Sequence, residues 1–409
     1  MRDHLQILYI TYDGVMEPLG RSQVLSYLKK LSGKGIKFYL VSFEKKVNLR
    51  DVIGKAKLQT ELNKYGIEWK VLRYHKHFRV LATMYDVAVG IFGAMAIAKR
   101  TRPDIVHARS YVAALMAWAV GSLAKAKFVF DMRGFWADER VDAGLLRKNS
   151  PLYKIIKKLE NIFVHKADRI VVLTNKAGEE LVLGFSGIKK DKIEVIPCCT
   201  DTVFFKFDEG SRNVIKSKYG TAGRVVFIHT GSLIGWYMIR EMLEYFRAIK
   251  ALEPKALFMF LSPEADRDEF FKAVDSVRIS RYDIILTEAD FEGVNRYLSA
   301  ADAGLFFIKP TFSKRASCPI KLAEYLSCAL PVICNRNIGD LDDIIEKNRI
   351  GILVDGFNME SYKDSYKRFS ELLKDKELKT RCRKVAEELF SVEKGAESYL
   401  EVYHSITEC

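Results

Sequence analysis

The sequence predicts an α/β protein with two doubly wound, Rossmann-like parallel-sheet domains that face a central cleft, followed by C-terminal helices. The chain has 409 residues, two to three times the length of an ordinary domain. Short apolar runs alternate with longer segments of helical period along nearly the whole chain. These runs show little polar alternation, as in parallel strands that are covered on both faces.

The first domain is predicted over residues 1–200 and opens with a βαβ unit. Residues 4–10 and 36–43 have the composition of strands, and residues 22–31 between them have that of a helix ended by Gly33 and Gly35. Further strands are predicted at 67–72, 104–108, 128–131, 169–173 and 193–196. Intervening helices include 112–124 and 152–165.

A linker is predicted over residues 201–223, which are polar, aromatic and glycine-containing without a clear period. The alternation restarts in a second domain, residues 224–390, with strands at 224–229, 256–261, 283–286, 303–308, 331–334 and 351–354. Its predicted helices are 237–250, 264–277, 292–301, 319–328 and 340–347. The chain from Asn358 onwards is predicted to be helical, and we expect residues 391–409 to pack back toward the first domain.

Charge is distributed unevenly along the chain. Residues 1–200 hold 35 basic and 19 acidic residues, whereas the remainder is nearly balanced, although the whole chain carries +14. We therefore expect an anionic partner for the first domain, such as a lipid diphosphate at a membrane surface or an acidic saccharide. The basic residues are dispersed and no nucleic-acid motif is present, so we expect no nucleic-acid binding.

The most apolar segment, residues 80–98, is interrupted by Asp86. We expect a buried core helix there, with a monotopic membrane face as the alternative. The N-terminal MRDHLQILYI lacks the apolar core of a secretory signal. The seven cysteines form no C-x-x-C pair and no zinc-type spacing, which is typical of a reduced cytosolic protein. We expect a cytoplasmic location, with the inner face of the membrane as the site of any lipid contact.

Loops that follow strands carry the functional expectation, since ligands bind at the carboxyl ends of such sheets. In the first loop, Gly20 and Arg21 precede Ser22, a residue suited to cap a helix whose exposed amides attract phosphate or sugar oxygens. The alternative is an ordinary βα turn. The chain contains neither G-x-G-x-x-G nor G-x-x-x-x-G-K-[ST], which argues against a dinucleotide oxidoreductase and a P-loop NTPase.

A second loop places Arg133, Trp136 and Asp138 after a strand. Aromatic rings stack on sugar faces and carboxylates accept hydrogen bonds from sugar hydroxyls, so this composition suits a carbohydrate. The alternative is a salt-bridged surface loop. His107 ends the preceding predicted strand and is either a structural residue or a member of the same site.

In the second domain, Gly231 and Ser232 lie between a strand and a helix, where freed backbone amides are suited to a pyrophosphate. The segment 309–333 carries a stronger pattern. Lys314, Arg315 and Lys321 surround a helix start near Pro319, with Ser317 as a candidate cap.

One turn further along this helix, Glu324 is placed to accept both ribose hydroxyls of a nucleotide. Together with the three cations before it, this carboxylate predicts a nucleotide diphosphate site. The alternative is a solvated basic loop with a surface glutamate.

The residues Glu324-Tyr325-Leu326 and Leu330-Pro331-Val332-Ile333, with Lys321 before them, resemble the donor-site signature of GT-B glycosyltransferases of the family 4 type. The segments 20–23, 231–237 and 300–302 resemble other elements of that family, so the resemblance spans nearly the whole chain. One departure is that Ala316 stands where the family commonly has a second carboxylate, eight residues before Glu324.

The resemblance implies transfer of a sugar, such as a hexose, from a nucleotide diphosphate sugar to a saccharide or lipid-linked acceptor in cell-surface glycan synthesis. It implies retention at the anomeric carbon, and no cofactor or metal. Catalytic roles would fall to Lys321, Arg315, Glu324 and His107, and donor binding to Gly231, Ser232, Lys314, Arg315, Lys321 and Glu324. Acceptor binding would fall to Gly20, Arg21, Ser22, Arg133, Trp136 and Asp138.

Two other functions stay open at this point. The same fold could use a nucleotide-sugar for epimerisation or hydrolysis, which predicts paired acid/base carboxylates and activity without an acceptor. Alternatively, Ala316 is compatible with a catalytically silent partner subunit that binds donor without turnover.

Overall fold

The computed structural model describes residues 4–76, 79–262 and 267–407. The chain forms two compact units. The first unit extends to Cys198 and resumes at Val392, and the second is Cys199–Ser391. The chain thus passes from one unit to the other twice.

The first unit is built on a seven-stranded, wholly parallel sheet. Its strands are β1 (Leu5–Thr11), β2 (Ile36–Glu44), β3 (Glu68–Arg73), β4 (Ile105–Arg109), β5 (Lys127–Asp131), β6 (Arg169–Val172) and β7 (Ile193–Val195). They lie in the order β3-β2-β1-β4-β5-β6-β7. The order reverses between β1 and β4, and ligands of doubly wound sheets bind at such a switch point.

The helices of the first unit cover both faces of this sheet. They are α1 (Pro18–Gly20), α2 (Ser26–Ser32), α3 (Lys46–Arg50), α4 (Val52–Lys64), α5 (Arg79–Thr101), α6 (Ser110–Ala124), α7 (Trp136–Asp142), α8 (Pro151–Lys166) and α9 (Asn175–Gly184). A π-helical turn, Arg21–Leu25, joins α1 to α2. The predicted helix 22–31 therefore begins earlier, because Pro18 occupies the first helical turn.

The second unit has a six-stranded parallel sheet. Its strands are β8 (Val226–Thr230), β9 (Leu257–Leu261), β10 (Ile284–Thr287), β11 (Ala303–Phe306), β12 (Val332–Asn335) and β13 (Gly351–Val354), in the order β10-β9-β8-β11-β12-β13. Its helices are α10 (Glu209–Tyr219), α11 (Ile239–Lys250), α12 (Arg267–Ser276), α13 (Phe291–Ala300), α14 (Ile320–Ser327), α15 (Leu341–Asn348), α16 (Met359–Leu372) and α17 (Leu378–Leu389). The switch point lies between β8 and β11. The predicted helix 264–277 starts outside the described residues.

The segment predicted as a linker is largely folded in the second unit. Helix α10 packs on α13, and Arg212 donates to the backbone oxygens of Ser299 and Ala301, each at 3.0 Å. Its guanidinium also pairs with Asp302 at 2.6 Å, and Asp302 in turn accepts from the amide of Val226. Polar composition concealed this packing because Ile215 is the one buried residue of α10, and both Arg212 and Lys216 pair with Asp302.

The last described helix, α18 (Val392–Thr407), belongs to the first unit and packs on α2. The Tyr399 hydroxyl donates to Asp131 at 2.9 Å, and the Tyr403 hydroxyl lies 2.9 Å from Nδ1 of His107. Both tyrosines are buried. Helix α18 thus adds two buried hydroxyl groups to the polar interior at the carboxyl edge of the first sheet.

Helix α5 is not the core helix that its composition predicted. Residues Val80–Thr101 are apolar and long enough to cross a membrane, and an 18-residue window within them has a mean hydropathy of 1.8, yet only 28% of that window is buried. It is the one span of this kind among the residues that the structure describes.

Candidate functional site

The carboxyl edge of the second sheet brings two loops together at the switch point. Beyond β8 and β11, Met238 donates to the backbone oxygen of Phe307 at 3.0 Å and Lys309 donates to that of Trp236 at 2.9 Å. The two loops therefore run side by side as a short antiparallel pair around Tyr237 and Ile308. This pairing fixes the aromatic residues of the first loop against the basic residues that follow β11.

Lys321 is buried on the first turn of α14. Its Nζ lies 3.5 Å from the centroid of the Tyr237 ring and 3.4 Å from Nε2 of His229. Burial lowers the pKa of the Lys321 ammonium well below its usual value, although Glu324 offsets part of this shift. An arriving anion would favour the charged form of this amine, so Lys321 is suited to bind a diphosphate.

His229 is a site residue that the sequence reasoning missed. It is fully buried near the end of β8, where Nδ1 lies 3.1 Å from the backbone oxygen of Leu305. Burial, and then the charge of Lys321, lower the pKa of His229 well below its usual value. Its Nε2 lies 3.2 Å from the backbone oxygen of Ser232 and 3.4 Å from Nζ of Lys321, so a neutral ring can donate to Leu305 or to Ser232 but not to both. The signal available was its position immediately before Thr230 and the glycine turn.

Lys314 and Arg315 lie in a 3₁₀ turn, Phe312–Ala316, but in different environments. Lys314 is buried with its Nζ 3.7 Å from the Trp236 ring centroid, whereas Arg315 is exposed. Trp236 thus supports one lysine as Tyr237 supports the other. Ala316 is buried and offers only a methyl group where the family commonly has a carboxylate.

Glu324 is partly buried on α14, one turn after Lys321. Burial raises the pKa of the Glu324 carboxyl to about 7, while the charge of Lys321 opposes this shift. The next residue, Tyr325, anchors the helix, because its hydroxyl accepts from the Thr230 amide at 2.9 Å. The acid and the buried lysine are therefore presented together at the end of β8.

Two features of the predicted diphosphate site differ from expectation. The Gly231 amide donates to the backbone oxygen of Leu261 at 2.9 Å, so it is engaged within the sheet edge rather than freed for a ligand. Gly231 has φ +91, which explains the glycine, and Ser232 is exposed beside it. Pro319, not Ser317, is the cap residue of α14, and no side-chain cap hydrogen bond is formed there.

In the first unit, the predicted loop is held by backbone packing at Gly20. A Cβ at Gly20 would lie 2.1 Å from the backbone oxygen of Gly14, so only glycine allows this approach. Arg21 is exposed, and the Ser22 hydroxyl donates to Leu19 rather than capping a helix. The loop is ordered, and Arg21 is its exposed cation.

The buried Glu44, which the sequence reasoning missed, anchors the loop after β1 through backbone amides. Its carboxylate accepts from the amides of Val15 and Met16, at 2.7 Å and 3.3 Å, and from the Ser42 hydroxyl at 2.8 Å. A glutamate at the end of an apolar strand gave no sign of this role, because the amides it satisfies belong to a distant loop.

The loop after β5 uses its polar residues mainly within the protein. Trp136 stacks on Tyr111, with ring centroids 5.8 Å apart, and the Arg140 guanidinium lies 4.5 Å from its ring centroid. Asp138 accepts from the hydroxyl of Tyr153 at 2.9 Å and pairs with Lys157 at 3.2 Å. These contacts favour the salt-bridged alternative for Trp136 and Asp138.

Arg133 belongs to a buried charge network at the same edge. Its guanidinium lies 3.8 Å from Asp131 and donates to the Gln23 side chain at 3.3 Å. Burial alone would raise the pKa of Asp131, but Arg133, His107 and Arg109 together hold it below its usual value. Arg133 therefore ties β5 to the helical segment that contains Gln23.

The predicted catalytic role of His107 does not fit its position. The ring is fully buried, stacks on Tyr9 with a centroid distance of 4.4 Å, and contacts the Tyr403 hydroxyl. Burial lowers the pKa of His107, in spite of the neighbouring Asp131. A ring enclosed in this way binds α18 to the sheet and cannot meet a substrate, so His107 is a structural residue.

Comparisons with known proteins agree with this architecture. Residues 23–204 match the profile of Glycosyltransferase Family 4, and residues 211–389 match that of Glycosyl transferases group 1. No curated protein sequence matches the chain. The two profiles adjoin and between them cover most of the sequence.

Solved structures share the fold at low identity. A glycosyltransferase from Rickettsia africae superposes with a TM-score of 0.73 at 18% identity, covering 99% of both chains. The Anabaena protein HepE in complex with UDP and glucose gives 0.71 at 14%, covering 98% of this chain and 100% of that one. Sucrose-phosphate synthase from Thermosynechococcus elongatus gives 0.76 at 15%, covering 99% and 100%. With both profiles matched and this fold, the chain belongs to the GT-B glycosyltransferases of the family 4, group 1 type.

Proposed function

We propose that this glycosyltransferase moves a sugar, with retention, from a nucleotide diphosphate sugar to a saccharide or lipid-linked acceptor in cell-surface glycan synthesis. The proposed donor site depends on one observation: buried Lys321 and partly buried Glu324 lie on successive turns of α14. HepE, a protein of the same fold, was solved with UDP and glucose bound, which supports a nucleotide-sugar donor.

The donor diphosphate is met by Lys321, Lys314 and the exposed Arg315. As the bond from the anomeric carbon to the diphosphate lengthens, negative charge grows on the leaving group. Cations already held in place by Tyr237 and Trp236 stabilise that charge most in the transition state. The acceptor oxygen bonds to the anomeric carbon on the face that the diphosphate leaves, and the hydroxyl proton departs with the diphosphate. Protein cations serve here in place of a divalent metal.

Glu324 binds the ribose of the nucleotide in this proposal. A carboxylate accepts two hydroxyl hydrogen bonds at once, which suits adjacent ribose hydroxyls. The acceptor belongs to the first unit, near the switch point between β1 and β4. There we propose Arg21, Ser22 and Arg133 as acceptor contacts, with Gly20 shaping the loop and Arg21 as its exposed cation.

The donor assignment is tested by thermal unfolding in the presence of a panel of nucleotide diphosphate sugars. The true donor binds the folded state and raises the unfolding midpoint. Glu324→Ala should abolish this rise, whereas Glu360→Ala, on the exposed side of α16, should preserve it. Full nucleotide-sugar affinity in Glu324→Ala would contradict the donor site.

Turnover is tested separately with Lys321→Ala. We expect kcat to fall by about 100-fold, as for the loss of one preorganised group that stabilises transition-state charge. Lys347→Ala removes an exposed lysine of α15 and serves as the control. Product formed only with an acceptor supports transfer, activity without acceptor indicates the epimerase or hydrolase, and donor binding without turnover indicates a silent subunit.

A further inference from the structure

Helix α5 presents large apolar side chains to its outer surface. The residues at intervals of four along one side, with two neighbours, form an outer stripe: Val80, Leu81, Met84, Tyr85, Ala88, Phe92 and Ala96. Phe92 is 76% exposed, Leu81 67% and Met84 63%. At a rise of about 1.5 Å per residue, the stripe extends for about 24 Å.

The side of α5 that packs on the protein is made mainly of small residues, although the larger Ile97 is buried there as well. Ala82, Gly90, Ala94 and Ala98 are buried at the same spacing, together with Asp86. A Cβ at Gly90 would lie 2.4 Å from the sulfur of Met116, so α5 and α6 cross closely there. A helix on a water-facing surface has the opposite arrangement, with large apolar residues inward and polar residues outward.

Charge is absent from the outer stripe and is placed around it. The only charged residue between Val80 and Ala98 is Asp86, which is buried and accepts from the Tyr12 hydroxyl at 2.8 Å. Exposed cations flank the stripe in sequence: Lys76 before it and Lys99 after it. Arg100 is also exposed and pairs with Glu68 at 2.6 Å.

We propose that α5 lies in the plane of an anionic phospholipid surface, with the outer stripe inserted among the acyl chains and Lys76 and Lys99 among the headgroups. Apolar area flanked by cations is the pattern of interfacial helices. A protein partner would call for hydrogen-bonding groups at intervals, and the Tyr85 hydroxyl is the one such side chain on the stripe. The helix does not cross the bilayer, because its inner side stays packed on α6 and the sheet.

This inference rests on the proposed function and narrows its acceptor. A protein that lies on a phospholipid surface is suited to a lipid-linked acceptor rather than to a free saccharide. The contact of Tyr12 with Asp86 places the loop after β1 directly beside the first turns of α5. An acceptor anchored in the same lipid surface would therefore reach the carboxyl edge of the first sheet without leaving the membrane.

The test is cosedimentation of the full chain with vesicles of phosphatidylcholine alone and of phosphatidylcholine mixed with phosphatidylglycerol. We expect binding to the anionic vesicles that weakens with salt. The double variant Leu81→Glu/Phe92→Glu should weaken it by about tenfold or more, since two large apolar side chains no longer leave water. Leu183→Glu, at an 82% exposed position on α9, is the matched control and should bind normally.

Lys99→Glu should weaken binding to the anionic vesicles and leave the low binding to neutral vesicles unchanged. Wild-type vesicle binding by the double variant would overturn the proposal. The proposal would also be overturned if the wild-type chain did not bind vesicles and the double variant changed only self-association, measured by light scattering after gel filtration. Donor-induced thermal stabilisation, measured on the same variants, does not depend on lipid and reports separately on the proposed function.

Discussion

At the scale of single residues, the proposed donor site contains two groups whose ionisation is opposed by burial. Lys321 and Glu324 attract each other, yet burial favours the neutral form of each. It lowers the pKa of Lys321 and raises that of Glu324. Burial therefore opposes charge on both groups in the free site. A nucleotide diphosphate that supplies anionic oxygens to one group and hydroxyls to the other favours both charged forms.

Glu324→Gln should remove a pH dependence that the native protein has. A carboxyl whose pKa is raised to about 7 in the folded state stabilises the fold at low pH and loses that contribution as pH rises through 7. The midpoint of thermal unfolding of the native protein should therefore fall, relative to Glu324→Gln, between about pH 5 and pH 8. Nucleotide affinity of the native protein should rise over the same interval. If the unfolding midpoints of the two proteins depended on pH in the same way, the assignment of this pKa to Glu324 would be contradicted.

Residue types predicted the donor site better than they predicted its support. Lys314, Lys321 and Glu324 were proposed from sequence because cations beside a helix start and an acid one turn later form a local pattern, and their role in donor binding stays a prediction. His229 and Glu44 were missed, since their partners lie 92 and 29 positions away in the chain. His107 was misinterpreted for the same reason, because its enclosure depends on a helix almost 300 residues later.

At the scale of elements, the position of α14 depends on the absence of a side chain in β11. A Cβ at Gly304 would lie 2.1 Å from the Tyr325 ring, and the hydroxyl of that ring anchors α14 to Thr230. The strand and the helix are therefore as close as glycine permits. Because α14 carries Lys321 and Glu324, this contact sets the depth of the donor site.

Gly304→Ala should displace α14 and lower stability by roughly 1–3 kcal/mol, the usual cost of overpacking. Donor-induced stabilisation should weaken at the same time. Gly184→Ala is the control, because a Cβ at that position meets nothing within 4 Å. Equal unfolding midpoints and donor responses in both variants would show that α14 is not held by this contact.

The elements themselves were largely predictable, since parallel strands and intervening helices have strong apolar patterns. The exceptions have particular causes. Helix α10 is anchored by Arg212 rather than by an apolar face, and the π-helical turn at Arg21–Leu25 has no local signature. Helix α5 was identified as apolar, but composition does not tell which side of a helix faces the protein.

At the scale of the whole molecule, the two-unit α/β fold was predicted and is confirmed by the sheets and by the matched families. What sequence patterns could not supply is the set of polar contacts that α18 makes in the first unit. The Tyr399 hydroxyl donates to Oδ2 of Asp131, and the Tyr403 hydroxyl contacts Nδ1 of His107. These pairs bridge separations of 268 and 296 residues, beyond any local pattern.

Tyr399→Phe should lower the free energy of unfolding by about 1–3 kcal/mol, because a buried carboxylate loses its hydroxyl donor. Tyr282→Phe, at a 94% exposed position, is the control and should be neutral. The measurement is the unfolding midpoint without ligand, and the donor response should persist, since α18 belongs to the first unit. An unchanged midpoint would mean that Asp131 is satisfied without Tyr399.

The return of α18 to the first unit has a consequence for biosynthesis. The residues of the second unit, Cys199–Ser391, are contiguous, whereas the first unit lacks helix α18 until the whole of the second unit has been translated. The first unit, although most of it is translated first, therefore cannot complete its fold until the second unit and helix α18 have left the ribosomal exit tunnel. Premature termination near Ser391 would leave the second unit whole. The first unit would then lack the two hydroxyls that contact Asp131 and His107.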